Sequence, residues 1–256
     1  MTGETHTKKI PTPHINFRLD NPRLDIIALR IILEKDDKLW NNFILKQYPQ
    51  LATIKKIKPY ILNKTFTREV KKIYNNRQNQ LVDAQYKFSK WWFPIEKRWF
   101  SFLKEIFELN NITANNVFTA YIGISPIFPR DIENETFLLP FYINRKKLLR
   151  LCAHETSHFF FYRKIKEINF AVQPDERHLW LISELLVSLL FSDPRSIGIL
   201  GQMSQSSYIC KQSLIERCRE IYQRRLGREI TIQELLEHLL QVEIKRGEVN
   251  EKFLKW

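Results

Sequence analysis

Apolar residues recur at helical spacing through most of the chain. From Leu24 to Leu109 the pattern predicts helices over about Leu24–Lys35, Lys38–Gln47, Thr67–Trp92 and Ile95–Leu109, with Pro49, Pro59 and Pro94 as breaks. The period then changes. Val117–Ile124, rich in β-branched and aromatic residues, reads as a strand, and Thr136–Tyr142 reads as a second. Pro140 has no N–H to give to a ladder, which predicts an edge position. Beyond it, Asn144 is placed to cap a helix over about Arg145–Lys164. A strongly apolar helix follows, opening at Pro174 or Asp175, running to Phe191 and stopped by Ser192-Asp193-Pro194. A Gly/Ser/Gln stretch over 198–207 precedes helices over about Ser207–Leu226 and Ile232–Ile244, the second opening on Thr231 and Glu234 at capping-box spacing. Residues 1 to about 20 read as a loose arm.

These elements predict an α+β fold, predominantly helical, with a small edge sheet or hairpin before the Arg145–Lys164 helix and further helices on both sides. The expected organisation is a flexible N-terminal arm over 1–21, a basic helical region over 22–114, and a region over 115–256 with the strands and the remaining helices. One compact unit over 22–256 is the alternative.

The Arg145–Lys164 helix contains His154-Glu155-Thr156-Ser157-His158, an H-E-x-x-H sequence. Residues four apart project from one helix face, so both imidazoles can hold one Zn²⁺ ion with Glu155 beside them. A metal there lowers the pKa of a water while the carboxylate takes its proton. The plain alternative is two histidines on an amphipathic helix.

A catalytic zinc site keeps three protein ligands and one open position. Glu184 is the only charged residue between Leu179 and Phe191. Burying an unpaired carboxylate is costly, and a metal ion is a good partner for it. A Glu paired with a Lys or Arg, or facing solvent, is the alternative. His178 and Asp193 are weaker rivals: His178 is six residues from Glu184, off its face, and Asp193 lies past the helix end.

This pair of helices resembles the gluzincin group of zinc metallopeptidases, in which H-E-x-x-H is followed one helix later by a Glu. The matching positions are His154, Glu155, His158 and Glu184, within about Thr136–Phe191. The resemblance implies a zincin-like core, Zn²⁺ held by His154, His158 and Glu184, and peptide-bond hydrolysis with Glu155 as general base. It also implies that a strand ahead of the motif helix binds a polypeptide substrate by edge addition; an ordinary short hairpin packed on the helix is the alternative. Many gluzincins carry Asp four residues after the ligand Glu, where this chain has Ser188. The metzincin pattern is absent, since Phe161 stands where that pattern needs Gly. A Tyr or His beyond the ligand Glu often stabilises the transition state in such enzymes. Tyr208 is the nearest tyrosine after Glu184, with Tyr121 and Tyr142 before the motif, and spacing does not select among them.

At 256 residues the chain has ample length for a core. No apolar run reaches the roughly 18 residues needed to span a bilayer, and Met1–Pro13 lacks the apolar centre of a signal peptide, so a cytoplasmic location is expected. Cys152, Cys210 and Cys218 are odd in number and lack C-x-x-C spacing, which predicts reduced thiols.

The net charge of +13 is unevenly placed, with thirteen Lys/Arg against three Asp/Glu between Lys46 and Arg98. Aromatics interleave: Tyr60, Phe66, Tyr74, Tyr86, Phe88, Trp91, Trp92 and Phe93. Such a face can bind nucleic acid or another anionic partner. With no recognised nucleic-acid-binding motif, solvated helix faces with aromatics turned inward is the favoured reading. Two function classes follow: a zinc metallopeptidase, or a non-enzymatic basic binding protein with a fortuitous or structural H-E-x-x-H. A latent protease acting on nucleic-acid-bound proteins, as basic enzymes of the Spartan type do, would combine them. The apolar tip Phe253–Trp256 is a candidate inhibitory tail, a docked or disordered tail being the commoner case.

Overall fold

The computed structural model describes residues 12–19, 22–34, 38–51, 59–109, 111–112, 115–126, 130–170, 174–202, 210–244 and 247–249. It is mostly helical, with a four-stranded mixed sheet. The chain divides into two compact units. A sheet-containing unit is built from Ile15–Pro94 and Val117–Cys152. A motif-containing unit is built from the described residues of Met1–His14, Ile95–Asn116 and Ala153–Trp256. Both units are assembled from interleaved segments of the chain.

In the sheet-containing unit the strands are β1 (His14–Leu19), β2 (Val117–Gly123), β3 (Arg130–Asp131) and β4 (Thr136–Pro140), in the order β1-β2-β4-β3. Part of the expected loose arm is thus a strand. Its alternation buries Ile15 and Phe17. β2 and β4 run parallel, so they form no hairpin, and β3 pairs antiparallel with β4.

The expected edge position of β4 is corrected: β4 lies between β2 and β3. Pro140 is tolerated there for a local reason. Phe141 N donates to Gly123 O at 2.9 Å, so the preceding nitrogen, that of Pro140, faces the opposite side. On that side the described pairing of β3 with β4 covers Thr136 and Phe137.

Helices α1 (Arg23–Glu34) and α2 (Lys38–Gln47) lie close to the predicted bounds. A 3₁₀ turn over Pro49–Leu51 follows. The Asp25 carboxylate, on α1, is buried and accepts Ile124 N at 2.8 Å and Ser125 N at 2.7 Å. Tyr48 donates its hydroxyl to Ile124 O at 2.8 Å. The end of β2 is clamped between them.

Two predicted helix boundaries are wrong. Helix α3 spans Pro59–Asn76 and α4 spans Gln78–Phe107, with Pro94 inside it. An internal proline costs about 3 kcal/mol. Around it Phe88, Trp92, Ile95 and Trp99 are all buried, each large side chain contributing about 1.5–3 kcal/mol, so burial wins. The break falls at Arg77, among Asn75, Asn76 and Asn79, which are weak helix formers.

The motif-containing unit packs the second half of α4 against the later helices. Helix α5 spans Arg145–Glu167, α6 Glu176–Ser192, α7 Pro194–Leu200, α8 Gln212–Leu226 and α9 Ile232–Gln241. Phe160 stacks on Phe100 at 6.0 Å and meets Phe107 at 6.2 Å. Arg225 donates to Glu105 O at 3.1 Å and Ile106 O at 3.3 Å, placing a cation on carbonyls near the C-terminus of α4. The capping box at Thr231 and Glu234 forms as expected. Cys210, placed by the sequence reading on α8, instead pairs with Val249 in an isolated antiparallel bridge. All three cysteines are buried thiols outside any disulfide. No described helix is long and apolar enough to cross a membrane.

Candidate metal centre

The motif helix starts where the sequence places it. Asn144 Oδ1 accepts Lys147 N at 2.9 Å, closing the first turn of α5. One side of α5 enters the core through Leu148, Cys152 and Phe159. That orientation settles where His154 and His158 project. Helix α6 is capped by Asp175, which accepts His178 N at 2.9 Å. Every residue from Leu181 to Phe191 is buried, Glu184 included.

The predicted ligands converge. His154 Nε2 and His158 Nε2 are 3.0 Å apart. Glu184 Oε1 lies 3.3 Å from His158 Nε2, and its Oε2 lies 3.6 Å from His154 Nε2. Four ligands placed tetrahedrally about zinc at 2.0–2.2 Å stand about 3.3–3.5 Å from one another. The 3.0 and 3.3 Å separations lie near that edge length, and with one ligand atom per residue the three atoms lie within 4.8 Å of one another. Two imidazole nitrogens and one carboxylate oxygen are also a donor set suited to zinc.

The electrostatics point the same way. Glu184 is 7% exposed on an apolar helix, and Glu155 is 3% exposed. Two buried carboxylates beside two imidazoles form a site that a cation relieves. Glu155 Oε1 lies 4.0 Å from His154 Nε2, adjacent to the ligand atoms without being one of the three. His158 is fully buried while the His154 side chain keeps 26% of its surface, so the cluster is closed on one side and reachable on the other. Among the described residues, His154, His158 and Glu184 form the group able to hold a metal.

Sequence reasoning missed three neighbours of the cluster. Thr156 Oγ1, inside the motif, accepts Trp99 Nε1 at 3.0 Å and lies 3.2 Å from Ala153 O. Phe191 places its ring 6.4 Å from that of His154 and 6.3 Å from that of Trp99. Trp99 and Phe191 carry only the apolar periodicity of any core residue, so no sequence signal marks them. The Ser188 hydroxyl donates to Glu184 O at 3.0 Å, on its own helix.

The rivals have other roles. Asp193 is buried and accepts Arg195 N at 2.8 Å, Arg195 NH2 at 2.9 Å and the Tyr222 hydroxyl at 3.1 Å, capping α7. Burial pushes the Tyr222 phenol well above its ordinary range, with Asp193 adding to the shift. His178 sits in the first turn of α6. Tyr121 and Tyr142 belong to the sheet-containing unit. Burial raises Tyr142 to about 12. Tyr208 and the tail Phe253–Trp256 lie outside the described residues.

Comparison with known proteins adds no family: no family model matches the chain, and neither a curated protein nor a solved structure shows significant similarity to it.

Proposed function

We propose that the chain is a zinc-dependent metallopeptidase with a zincin-like arrangement of α5 and α6. The observation that supports this reading most directly is the convergence of His154, His158 and Glu184 at separations of 3.0, 3.3 and 3.6 Å. His154 and His158 hold the ion through Nε2, and Glu184 supplies the third ligand and a compensating negative charge. When bound, the ion acts as a Lewis acid that acidifies water and polarises a carbonyl. Glu155 is the general base: its carboxylate is buried and stands beside the ligand nitrogens, placed to take a proton from the attacking water and pass it to the leaving amine. Phe191 packs its ring beside that of His154, 6.4 Å between centroids.

Metal content by inductively coupled plasma mass spectrometry tests the site first. About one zinc per chain is expected, falling sharply in Glu184→Ala. Glu155→Gln is expected to keep the metal and lose peptidase activity by about 100-fold or more, measured on a quenched-fluorescent peptide library. A wild-type protein that takes up no zinc after incubation with it would remove the reading. So would a metal-loaded Glu155→Gln protein as active as the wild type.

A further inference from the structure

The described part of the basic region predicted from charge lies on the exposed sides of α3 and the first half of α4. Both helices turn their apolar faces inward: Phe66, Val70, Ile73 and Tyr74 on α3, and Leu81, Ala84, Phe88 and Trp92 on α4, are buried. The aromatics of this region largely follow the inward reading. Two do not. Tyr86 is 68% exposed and Phe93 is 76% exposed, and Val82 nearby is 49% exposed.

Their place on the helix matters. At 100° per residue, Tyr86 and Phe93 share one face and stand about 10 Å apart along the axis. That face is opposite the one that buries Leu81, Ala84, Phe88 and Trp92. The rings therefore stand at the solvent pole of the helix, rather than at the rim of the core. On α3 the corresponding pole carries Lys64, Arg68, Lys71 and Lys72, all exposed. Between positions 64 and 90 there are seven Lys/Arg, all exposed, against two acidic residues. Both acids are already engaged: Glu69 lies 2.9 Å from Lys72 and 3.4 Å from Arg68, and Asp83 lies 2.6 Å from Lys87. Exposed pairs of this kind are worth little and exchange readily.

A solvated helix face accounts for the lysines. It does not account for two large rings at the pole farthest from the core. We propose that the exposed sides of α3 and α4 bind single-stranded nucleic acid, the cations following the phosphates and Tyr86 and Phe93 stacking on unpaired bases. Alternating positive charge with exposed rings is the chemistry that single strands select, because every base has a π-face and every linkage a charge. A duplex keeps its bases stacked on one another and offers these rings nothing to stack on. A lipid surface needs a continuous apolar helix face, and both helices have spent theirs in the core.

The test uses the full chain and fluorescence anisotropy, with oligo(dT) and oligo(U) of about 20 nucleotides, the matching duplex, and vesicles containing about one third phosphatidylserine. Binding to a single strand is expected to exceed binding to duplex by tenfold or more and to weaken with salt. Replacing Lys64, Arg68, Lys71 and Lys72 by alanine is expected to flatten the log–log salt slope by about 3. Tyr86→Ala with Phe93→Ala is expected to weaken binding about 30-fold with the slope unchanged. All six positions are exposed, so melting and circular dichroism should match the wild type. Lys64→Glu with Lys71→Glu repeats the test by charge reversal. Equal affinity for duplex, binding to vesicles alone, binding indifferent to the two rings, or no binding to either oligonucleotide would each overturn the proposal. Because Glu155→Gln leaves these exposed sides untouched, it should bind as the wild type does, which separates this binding from the metal centre.

Discussion

Asp25 shows how much one buried carboxylate can organise. It holds two consecutive backbone N–H groups at the end of β2, and the strand must come close to do so. A Cβ added at Gly123 would stand 2.5 Å from both carboxylate oxygens, so glycine is the residue that fits. Gly123→Ala must push Asp25 aside and strip charged hydrogen bonds from Ile124 and Ser125. The expected loss is about 3 kcal/mol or more in urea unfolding; a change under about 0.5 kcal/mol would mean that Asp25 is not held as described. In the motif-containing unit, Thr156 has the matching role of a small polar side chain fixing a helix. Its hydroxyl ties the motif turn to Trp99, whose ring contacts the same Phe191 that packs beside His154. Asp193 is a third such group, holding the α6–α7 corner through Arg195 and Tyr222. The roles of these residues are not visible in the sequence, because a carboxylate or hydroxyl becomes special only when packing removes its water.

Secondary structure was most legible where local chemistry decides it. Asn144, Asp175 and Thr231 each cap a helix at the position their residue type and spacing indicate. Asn144→Ala is expected to cost about 1 kcal/mol by thermal or urea unfolding and to leave zinc content intact, since the first turn of α5 lies two turns ahead of His154. A loss of zinc in that variant would show that the cap positions the ligands as well as the helix. Legibility fails where tertiary burial opposes local preference. Pro94 breaks nothing because buried residues flank it on both sides, and Arg77, an ordinary residue, marks the true discontinuity. β4 likewise escapes the edge position its proline predicted, lying between β2 and β3, with the Pro140 nitrogen turned away from β2.

At the scale of the whole molecule, the chain builds two units from interleaved segments, with the ligand set contained in one of them. Its ligands come from two helices, α5 and α6, so an ion bound there crosslinks them and should stabilise the fold by mass action. Free zinc at about 100 times its dissociation constant adds about 2.7 kcal/mol. For a chain of this size that is about 5–10 °C in melting temperature. The shift is expected to reverse with a chelator and to vanish in Glu184→Ala. A zinc-independent melting temperature in the wild type would argue that the three side chains hold no ion.

The sequence alone determined the helix-rich class, the caps, and the candidate cluster of His154, His158 and Glu184 with Glu155 beside it. All of these depend on periods and spacings a few residues long, and His154 and His158 meet because a helix repeats, whatever surrounds it. Tertiary structure decided the rest. It brought Glu184 within reach of both histidines across the α5–α6 pairing, set β4 inside its sheet, made Asp25 and Trp99 matter, and left Tyr86 and Phe93 outside while their neighbours went in. Each of those outcomes turns on which surfaces lose their water when distant segments pack, and that is a property of the assembled core.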